Sequence, residues 1–390
     1  MKNLETLILE LCPDGVEFVK LGDCCSFKRG KTITAKNAIP GDVPVLAGGQ
    51  KPAYYHNEAN RTGETIVVAG SGAYAGFVSY WTVPVFLSDS FSVEPDDRLV
   101  VKFVYYFLKN IQQKIFATKK GSGVPHVHGS SIEKFEIPLP PIEVQTEIVR
   151  ILDKFTSLEA ELEAELDCRK RQYEYYRDKL LSFDNVGGQE VEWMKMNEVF
   201  DMRNGYTPSK AKAEYWEGGT IPWFRMEDIR ENGRILSDSI QHITMEGVKK
   251  GNLFPANSFI LATTATIGEH ALLIADSLAN QRFTNLTVCK SLSDRLLVKF
   301  VFHYMFIVDE WCKKNINVSG FASVDMNKFK KLEFPIPSLE EQHRIVSILD
   351  RFESLTTSLQ SGLPAEIAAR RQQYEHYRDK LLTFKRKGAA

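Results

Sequence analysis

YEYYRDKLLSF, residues 173–183, returns at 374–384 as YEHYRDKLLTF. Nine of the eleven positions are identical, at an offset of 201 residues. Upstream, IVRILDKF (148–155) returns as IVSILDRF (345–352) at an offset of 197. A repeat near 200 residues is far longer than a solenoid unit, so the chain is a duplicated domain and not a stack of small motifs.

Both repeated blocks sit on helical ladders. In the first, Ile148, Leu152, Phe155, Leu162, Leu166, Tyr173, Tyr176, Leu180 and Phe183 alternate in steps of four and three, with Glu159 and Arg169 as polar members. That is a coiled-coil seam, not a broad globular face. Pro140-Pro141 delivers the chain to this helix, Pro141 suiting the first turn and Glu143 the positive end of the dipole. Asp184, Asn185, Gly187 and Gly188 stop it. A helix over 141–183 would be roughly 65 Å long at the usual rise per residue. The second ladder runs Ile345, Leu349, Phe352, Thr356, Leu359, Leu363, Ile367, Arg370, Tyr374, Tyr377, Leu381, Phe384. Ser338 with Glu341 makes a capping box at its start. The offset changes by four residues between the two blocks, which is a stutter. Pro364, next to Ser361-Gly362-Leu363, should kink or restart the helix. The expectation is one straight helix and one broken helix, packed together.

The stretches before the helices correspond more faintly. Val16-Glu17-Phe18 with Lys20 matches Val191-Glu192-Trp193 with Lys195, and Gly30 matches Gly205. RLVVKFV (98–104) matches RLLVKFV (295–301), Gly123 matches Gly320, and FEIPLP (135–140) matches LEFPIP (332–337). Between these anchors the halves diverge. Short apolar, β-branched runs such as 65–69 and 258–262 read as strands followed by glycine-rich turns, and helices are expected over 98–116 and 295–313. The opening stretch 4–18 echoes the passage from Leu180 into Val191-Glu192-Trp193. The ends of the chain would then close a ring-like body.

The bulk numbers bound the function. At 390 residues there is room for two or three domains. A net charge of −1 gives no global sign of nucleic acid, so any basic face must be local. The cysteines at 12, 24, 25, 168, 289 and 312 form no CxxC and no zinc-finger spacing, which reads as free thiols in a reducing cytosol. The N-terminus MKNLETLILELCPDG is too short and acidic for a signal peptide. No apolar run approaches the ~20 residues that span a bilayer.

Catalytic signatures fail. Gly30-Lys31-Thr32 lacks the earlier glycine of a phosphate loop, since position 25 is cysteine. No Asn/Asp-Pro-Pro-Tyr/Phe stretch is present, and Gly70-Ser71-Gly72 is a turn rather than a glycine-rich cofactor loop. His126 and His128 have no assignable carboxylate or cysteine partner, and no metal is expected. The chain should recognise while others perform chemistry.

The alternation of variable globule and repeated long helix, the QYxYYRDKLLxF-type helix end and the GSGVPHV loop at Gly121 to Val127 together resemble the specificity subunit of type I restriction-modification systems. The resemblance covers essentially the whole chain. It implies an α+β fold: two mixed α/β target recognition domains joined by two long antiparallel coiled-coil helices in a pseudo-twofold (circular) arrangement. The corresponding boundaries are 1–140, 141–183, 184–337 and 338–385, with a tail at 386–390. It further implies a bipartite, asymmetric DNA target, two adenine-methyltransferase subunits docked on the helices, and restriction subunits. AdoMet, ATP and Mg would belong to those partners, with no cofactor in this chain and a cytoplasmic location. The second globule departs from the loop motif, having Gly320-Phe321-Ala322-Ser323-Val324.

The residue chemistry is compatible with this. Base readout needs Arg, Lys, Asn and Gln in the major groove, while phosphate contacts set position. Candidates in the first half are Lys28, Arg29 and Lys31; Lys51, Tyr54, Tyr55 and His56; and Lys119, Lys120, Ser122, His126 and His128. In the second half they are Arg203 and Asn204; Lys210, Lys212, Tyr215 and Trp216; Arg225; Asn280, Gln281 and Arg282; and Lys313 and Lys314. Glycines in the 119–128 loop would let backbone N–H groups approach a phosphate. Each candidate also has a plainer reading as a solvated charge beside a core aromatic. On the helices, Tyr173, Tyr176, Tyr374 and Tyr377 are seam residues, while Tyr175, Arg177, His376 and Arg378 are candidates to face a methyltransferase. A stand-alone methyltransferase and a coiled-coil scaffold without DNA contact are the competing readings.

Overall fold

The computed structural model describes residues 4–121, 123–183, 191–317, 321–357 and 362–388. The chain forms two compact units, one of Met1–Ala164 with Ala365–Ala390, the other of Glu165–Pro364.

In the first unit, helix α1 (Leu4–Leu11) leads to strand β1 (Glu17–Lys20). A four-stranded antiparallel sheet runs in the order β2 (Cys25–Arg29), β8 (Ser90–Pro95), β5 (Thr65–Ala69), β6 (Val78–Trp81). A three-stranded sheet runs β4 (Tyr54–His56), β3 (Val43–Leu46), β7 (Phe86–Leu87), with β3 and β7 parallel. β5 is buried at every position, which is why it reads as an unbroken apolar run. Three helices follow: α2 (Val101–Asn110), α3 (Gln112–Phe116) and the short α4 (Gly129–Ile132). Phe103, Tyr106 and Phe107 of α2 share one core with Ile66, Val68 and Val93. Strand β9 (Glu136–Leu139) then leads into α5 (Ile142–Leu181), a continuous helix of 40 residues and about 60 Å.

The second unit repeats this plan. Strand β10 (Glu192–Lys195) and the turn of helix α6 (Met196–Val199) open it. Its larger sheet has the order β11 (Phe200–Asn204), β18 (Phe283–Val288), β15 (Ser258–Ala262), β16 (His270–Leu273), β13 (Ile235–Leu236). The first four match the sheet of the first unit strand for strand, and β13 is an addition, parallel to β16. The smaller sheet, β14 (His242–Ile243), β12 (Ile221–Phe224), β17 (Leu278–Ala279), again has one parallel pair, β12 with β17. Helix α7 (Met226–Asn232) follows β12. Helix α8 (Val298–Lys314) packs its Phe300, Val301 and Met305 into the core, and β19 (Ile316–Asn317), β20 (Ser323–Val324), α9 (Met326–Phe329) and β21 (Glu333–Ile336) lead to α10 (Leu339–Thr357).

The faint anchors of the repeat are one feature seen twice. β1 pairs antiparallel with β9, Glu17 facing Leu139 and Lys20 facing Glu136. β10 pairs with β21 in the same register, Glu192 facing Ile336 and Lys195 facing Glu333. Chain entry and chain exit of each globule are thus laced together. Directly after, a buried glutamine locks the helix start. Gln145 Oε1 accepts from Val100 N at 2.8 Å, and its Nε2 donates to Arg98 O at 2.9 Å and Pro140 O at 2.8 Å. Gln342 does the same to Leu297, Arg295 and Pro337, each at 2.8 Å.

The second ladder is two helices, α10 and α11 (Leu363–Leu381), with Pro364 at the second position of α11, where its missing N–H costs little. Leu359 and Ser361 lie outside the described residues, as do Asp184, Asn185, Gly187 and Gly188 at the expected stop of α5. Ser338 Oγ accepts from Glu341 N at 3.3 Å, one half of the expected capping box. The compact units do not end where the helices begin. In the first, the opening part of α5 runs antiparallel to α11: Phe155 stacks on Tyr377 at 5.3 Å, and Arg371 pairs with Glu159 and Glu163. In the second, the closing part of α5 runs antiparallel to α10, with Tyr176 stacked on Phe352 at 5.6 Å. Each globule therefore has beneath it the helix that follows it and a helix segment from the other end of the repeat. In the first unit the chain ends also meet: Val16 N donates to Lys385 O and Lys387 N to Val16 O, both at 2.9 Å.

β13 is tied in by a network with no counterpart among the described residues of the first unit. Arg234 Nη1 lies 3.0 Å from Asp309 Oδ2, and His270 Nδ1 lies 2.7 Å from the same oxygen. His270 is fully buried between Phe302 and Phe306, and burial pushes its pKa below the ordinary value.

Candidate nucleic-acid interface

In the second unit the parallel strands β12 and β17 end side by side at Phe224 and Ala279. Arg225 and Asn280 are the next residues, joined through Asn280 N donating to Phe224 O at 3.1 Å. β11 arrives at the same place. A Cβ on Gly205 would sit 2.2 Å from Asn280 O and 2.4 Å from Ala279 O, so only glycine lets the strand pass. Thr207 Oγ1 then donates to Gln281 Oε1, and Asn280 Oδ1 accepts from Arg282 N at 2.9 Å. Asn204 Oδ1 accepts from Thr284 at 3.0 Å, while Arg203 reaches Leu253 O with its guanidinium 5.2 Å from the Phe254 ring. Arg203 and Asn204, at the end of β11 in the larger sheet, thus come beside Arg225, Asn280, Gln281 and Arg282, which follow the paired strands of the smaller sheet, although the six are spread over 80 residues of sequence.

The first unit builds the same end with other side chains. β3 and β7 stop at Leu46 and Leu87, Ser88 N donates to Leu46 O at 2.8 Å, and a Cβ on Gly30 would lie 2.2 Å from Leu87 O. Ala47 stands where the second unit has Arg225, Ser88 where it has Asn280. Arg29, exposed on β2, is 3.6 Å from Asp89. Lys28 pairs with Glu94. Burial pushes the Glu94 carboxyl up, but hydrogen bonds from Lys28 and Ser92 and the charges of Lys28 and Arg61 bring it below the carboxylate range. Lys31 is exposed, its backbone N–H on Leu87 O.

Arg29, His126 and His128 line one cleft of about 230 Å³ with Asp89 and Glu133, so two candidate groups of the sequence come together here. The histidine rings stack 6.4 Å apart. Lys120 and His126 exchange backbone hydrogen bonds of 2.9 and 2.8 Å, closing the loop, and Gly121 at φ +111° meets Val124 O where a Cβ would go. Lys119 is held by Ala73 O at 3.2 Å and the Phe116 ring at 4.4 Å; Lys120 is exposed. Ser122 lies outside the described residues.

Other candidates have structural employment. Tyr54 donates to Ile33 O at 2.6 Å, and buried His56 accepts from Ile39 N at 3.0 Å, so both brace the 33–39 loop. Lys51 and Tyr55 remain exposed. Lys212 donates to the Tyr215 hydroxyl at 3.0 Å, a bond that holds its pKa above the ordinary lysine value. Trp216 donates to Ser209 O at 3.1 Å and packs edge-on to Trp223, while Lys210 is exposed. Lys313 and Lys314 end α8, where cations suit the helix dipole, and Lys313 pairs with Glu310 at 2.6 Å.

The helix candidates divide. Tyr175 and His376 are exposed. Arg177 and Arg378 turn inward, their side chains 12% and 18% exposed. Arg177 lies 4.9 Å from the Phe306 ring, and Arg378 donates to Asn110 Oδ1 at 3.1 Å. Packing against the Tyr173 and Tyr374 rings and the ion pairs with Asp178 and Asp379 offset the cost of desolvating these two guanidinium groups.

Among the described residues one group has metal-ligand spacing: His303, Asp350 and Glu353. Lys299 is 3.5 Å from Asp350 and 3.8 Å from Glu353, supplying the positive charge there. His303 with Asp350 occupies the place of Tyr106 with Asp153 in the first unit, tying α8 to α10 as α2 is tied to α5. The described cysteines are all free thiols, and no described helix is long and apolar enough to cross a membrane.

Comparison with known proteins bears on these features. A family model described as type I restriction modification DNA specificity domain matches residues 13–167 and 189–369. The Escherichia coli type I restriction enzyme EcoR124I/EcoR124II specificity subunit is 34% identical over 410 residues, covering 97% of this chain and 98% of that one. The EcoprrI specificity subunit, also from E. coli, is 52% identical over 217 residues, a match spanning 54% of this chain and about half (53%) of that relative. Among solved structures, the fold is similar to a type I restriction-modification S subunit from M. genitalium, with TM-score 0.55, 17% identity and coverage of 94% and 96%. It is also similar to a chain from a structure concerned with complex assembly and conformational transition of the type I R-M system, with TM-score 0.62, 18% identity and coverage of 95% and 98%.

Proposed function

The chain belongs to the type I restriction-modification DNA specificity family, and we propose that each of its two units reads one half of a bipartite, asymmetric DNA target. The chain is a specificity subunit, a non-catalytic member of its system. The observation that carries the bipartite reading is the sheet end just described. The two units share the strands, the register and the close-passing glycine, yet present Ala47, Ser88 and Asp89 in one and Arg225, Asn280 and Gln281 in the other. One frame with two sets of polar side chains suits two unlike half-sites.

In this reading two adenine-methyltransferase subunits dock on the helices, with Tyr175 and His376 among the exposed members of the repeated motif, and restriction subunits join them. AdoMet, ATP and Mg belong to those partners, and the assembly works in the cytoplasm. Sequencing the methylome of a host that expresses this chain with its methyltransferase tests the proposal. One split, non-palindromic motif that vanishes without this chain is expected; a continuous palindrome, or methylation indifferent to the chain, overturns it.

The 119–128 loop carries a second test. If Lys119 and Lys120 lie along a phosphate strand, reversing both to Glu should weaken DNA binding of the assembled complex about tenfold or more and reduce the salt slope by about 2. The target motif should be unchanged, because phosphate contacts position without specifying. Unchanged affinity would remove this loop from the interface.

A further inference from the structure

We infer that Arg225 is a base-reading residue of the second unit and that its target is a guanine. This rests on the specificity-subunit reading above and names one contact within it.

The side chain is built for a fixed approach. Asp228, fully buried, accepts Arg225 N–H at 2.7 Å through Oδ2 and Ile240 N–H at 2.7 Å through Oδ1, so the backbone at 225 cannot drift. The guanidinium carbon lies 5.9 Å from the ring of Trp223. That ring is itself pinned: Trp223 is 3% exposed, donates from Nε1 to Tyr206 O at 3.0 Å, and packs edge-on to Trp216 at 5.0 Å. Arg225 Nε is buried and has no hydrogen-bond partner among the described residues, the Glu227 carboxylate standing 4.0 Å away. Neither terminal nitrogen has a protein acceptor among the described residues either. A half-buried side chain on a locked backbone, beside a pinned aromatic ring, limits how the guanidinium can approach and leaves its nitrogen fork free for an outside acceptor.

A phosphate contact asks for little of this. A mobile, exposed lysine serves as a point charge, whereas a fixed guanidinium edge matches two acceptors at set spacing. Among base edges in the major groove, guanine offers such a pair in O6 and N7. The company fits: Asn280 and Gln281 stand at the same strand ends, with Gln281 Oε1 already accepting from Thr207, which fixes its amide plane. The first unit has Ala47 at the equivalent place, so this contact belongs to one half-site alone.

The test uses the full-length chain assembled with the methyltransferase of its system, selecting from randomised DNA duplexes. Wild type should select a split motif with an invariant guanine in one half. Arg225→Lys, which keeps charge and stem but loses the fork, should lose that guanine preference, weaken binding to the wild-type target about 5- to 150-fold, and leave the other half-site intact. A probe that needs no variant is the selected duplex with 7-deazaguanine at that position. It should bind more weakly to wild type, and the loss should not add to that of Arg225→Lys. If Arg225→Lys lowers affinity for every sequence alike, or the deaza probe binds normally, the assignment to Arg225 falls while the specificity reading stands. If wild type selects no split motif, both fall.

Discussion

Asp309→Ala should cost the second unit about 3–5 kcal/mol, the loss expected when one member of a buried charged set is removed and its partner is left uncompensated. Asp309 is 2% exposed and is the shared acceptor of Arg234 and His270. Without it, Arg234 loses its counter-charge and keeps the His270 carbonyl, 3.1 Å away, while the His270 ring, packed against Phe302 and Phe306, loses its carboxylate partner. Strand β13 is held to β16 by only two residue pairs, so it should detach first. Hydrogen exchange read segment by segment would show protection lost in 235–236 and 270–273, with the first unit unaffected. Replacing Arg234, His270 and Asp309 together by apolar residues should cost less than Asp309→Ala alone, because no orphan charge remains. Equal or greater loss in the triple variant would contradict this account. The network also sets an acid limit. Burial lowers the His270 pKa, so below the ordinary value near 6.5 the unfolded chain takes up a proton that the folded chain refuses. Stability should therefore fall as pH drops through that value and be fully present above it.

Gln145→Leu and Gln342→Leu should each cost about 3 kcal/mol, in the first and second unit respectively. Both amides are fully buried, and each serves one backbone N–H and two backbone carbonyls. Leucine fills a similar volume but leaves those groups unpaired, at about 1–3 kcal/mol for each buried group and less where water can reach. Chemical denaturation followed by hydrogen exchange separates the units: Gln145→Leu should release 98–104 and the start of α5, Gln342→Leu the start of α8 and α10. A loss shared equally by both units would show that the glutamines do not act locally.

What could be read from the sequence follows from periodicity. The four-three ladder marked α5 because a seam residue recurs whatever lies above it, and Pro364 marked the break because its ring excludes a continuous helix. Gly30 and Gly205 matched across the repeat for a reason the structure supplies: each passes a carbonyl too closely for a Cβ. The glutamine clamp carried a signal that went unused, since Gln145 and Gln342 stand five residues after Pro140 and Pro337 in both halves. Long-range facts had no such signal. Arg225 and Asn280 come side by side because two parallel strands end together, and pairing at that separation leaves no local pattern. Arg177 and Arg378 looked like surface charges because nothing in their neighbourhood names the Phe306 ring or Asn110 that receives them. The division into units was equally hidden: α5 and the α10/α11 segments are shared out between them, whereas sequence alone suggests that globule and helix are separate pieces.

The central claim is that two copies of one frame read two different half-sites. Identical registers in β1/β9 and β10/β21 make the globules exchangeable at their entry and exit strands. The direct measurement is the methylome of a host carrying, with the cognate methyltransferase, a chain in which residues 192–336 also replace residues 17–139. The account predicts a split target built from two copies of the second half-site. An unchanged motif from a folded, assembled hybrid would contradict it.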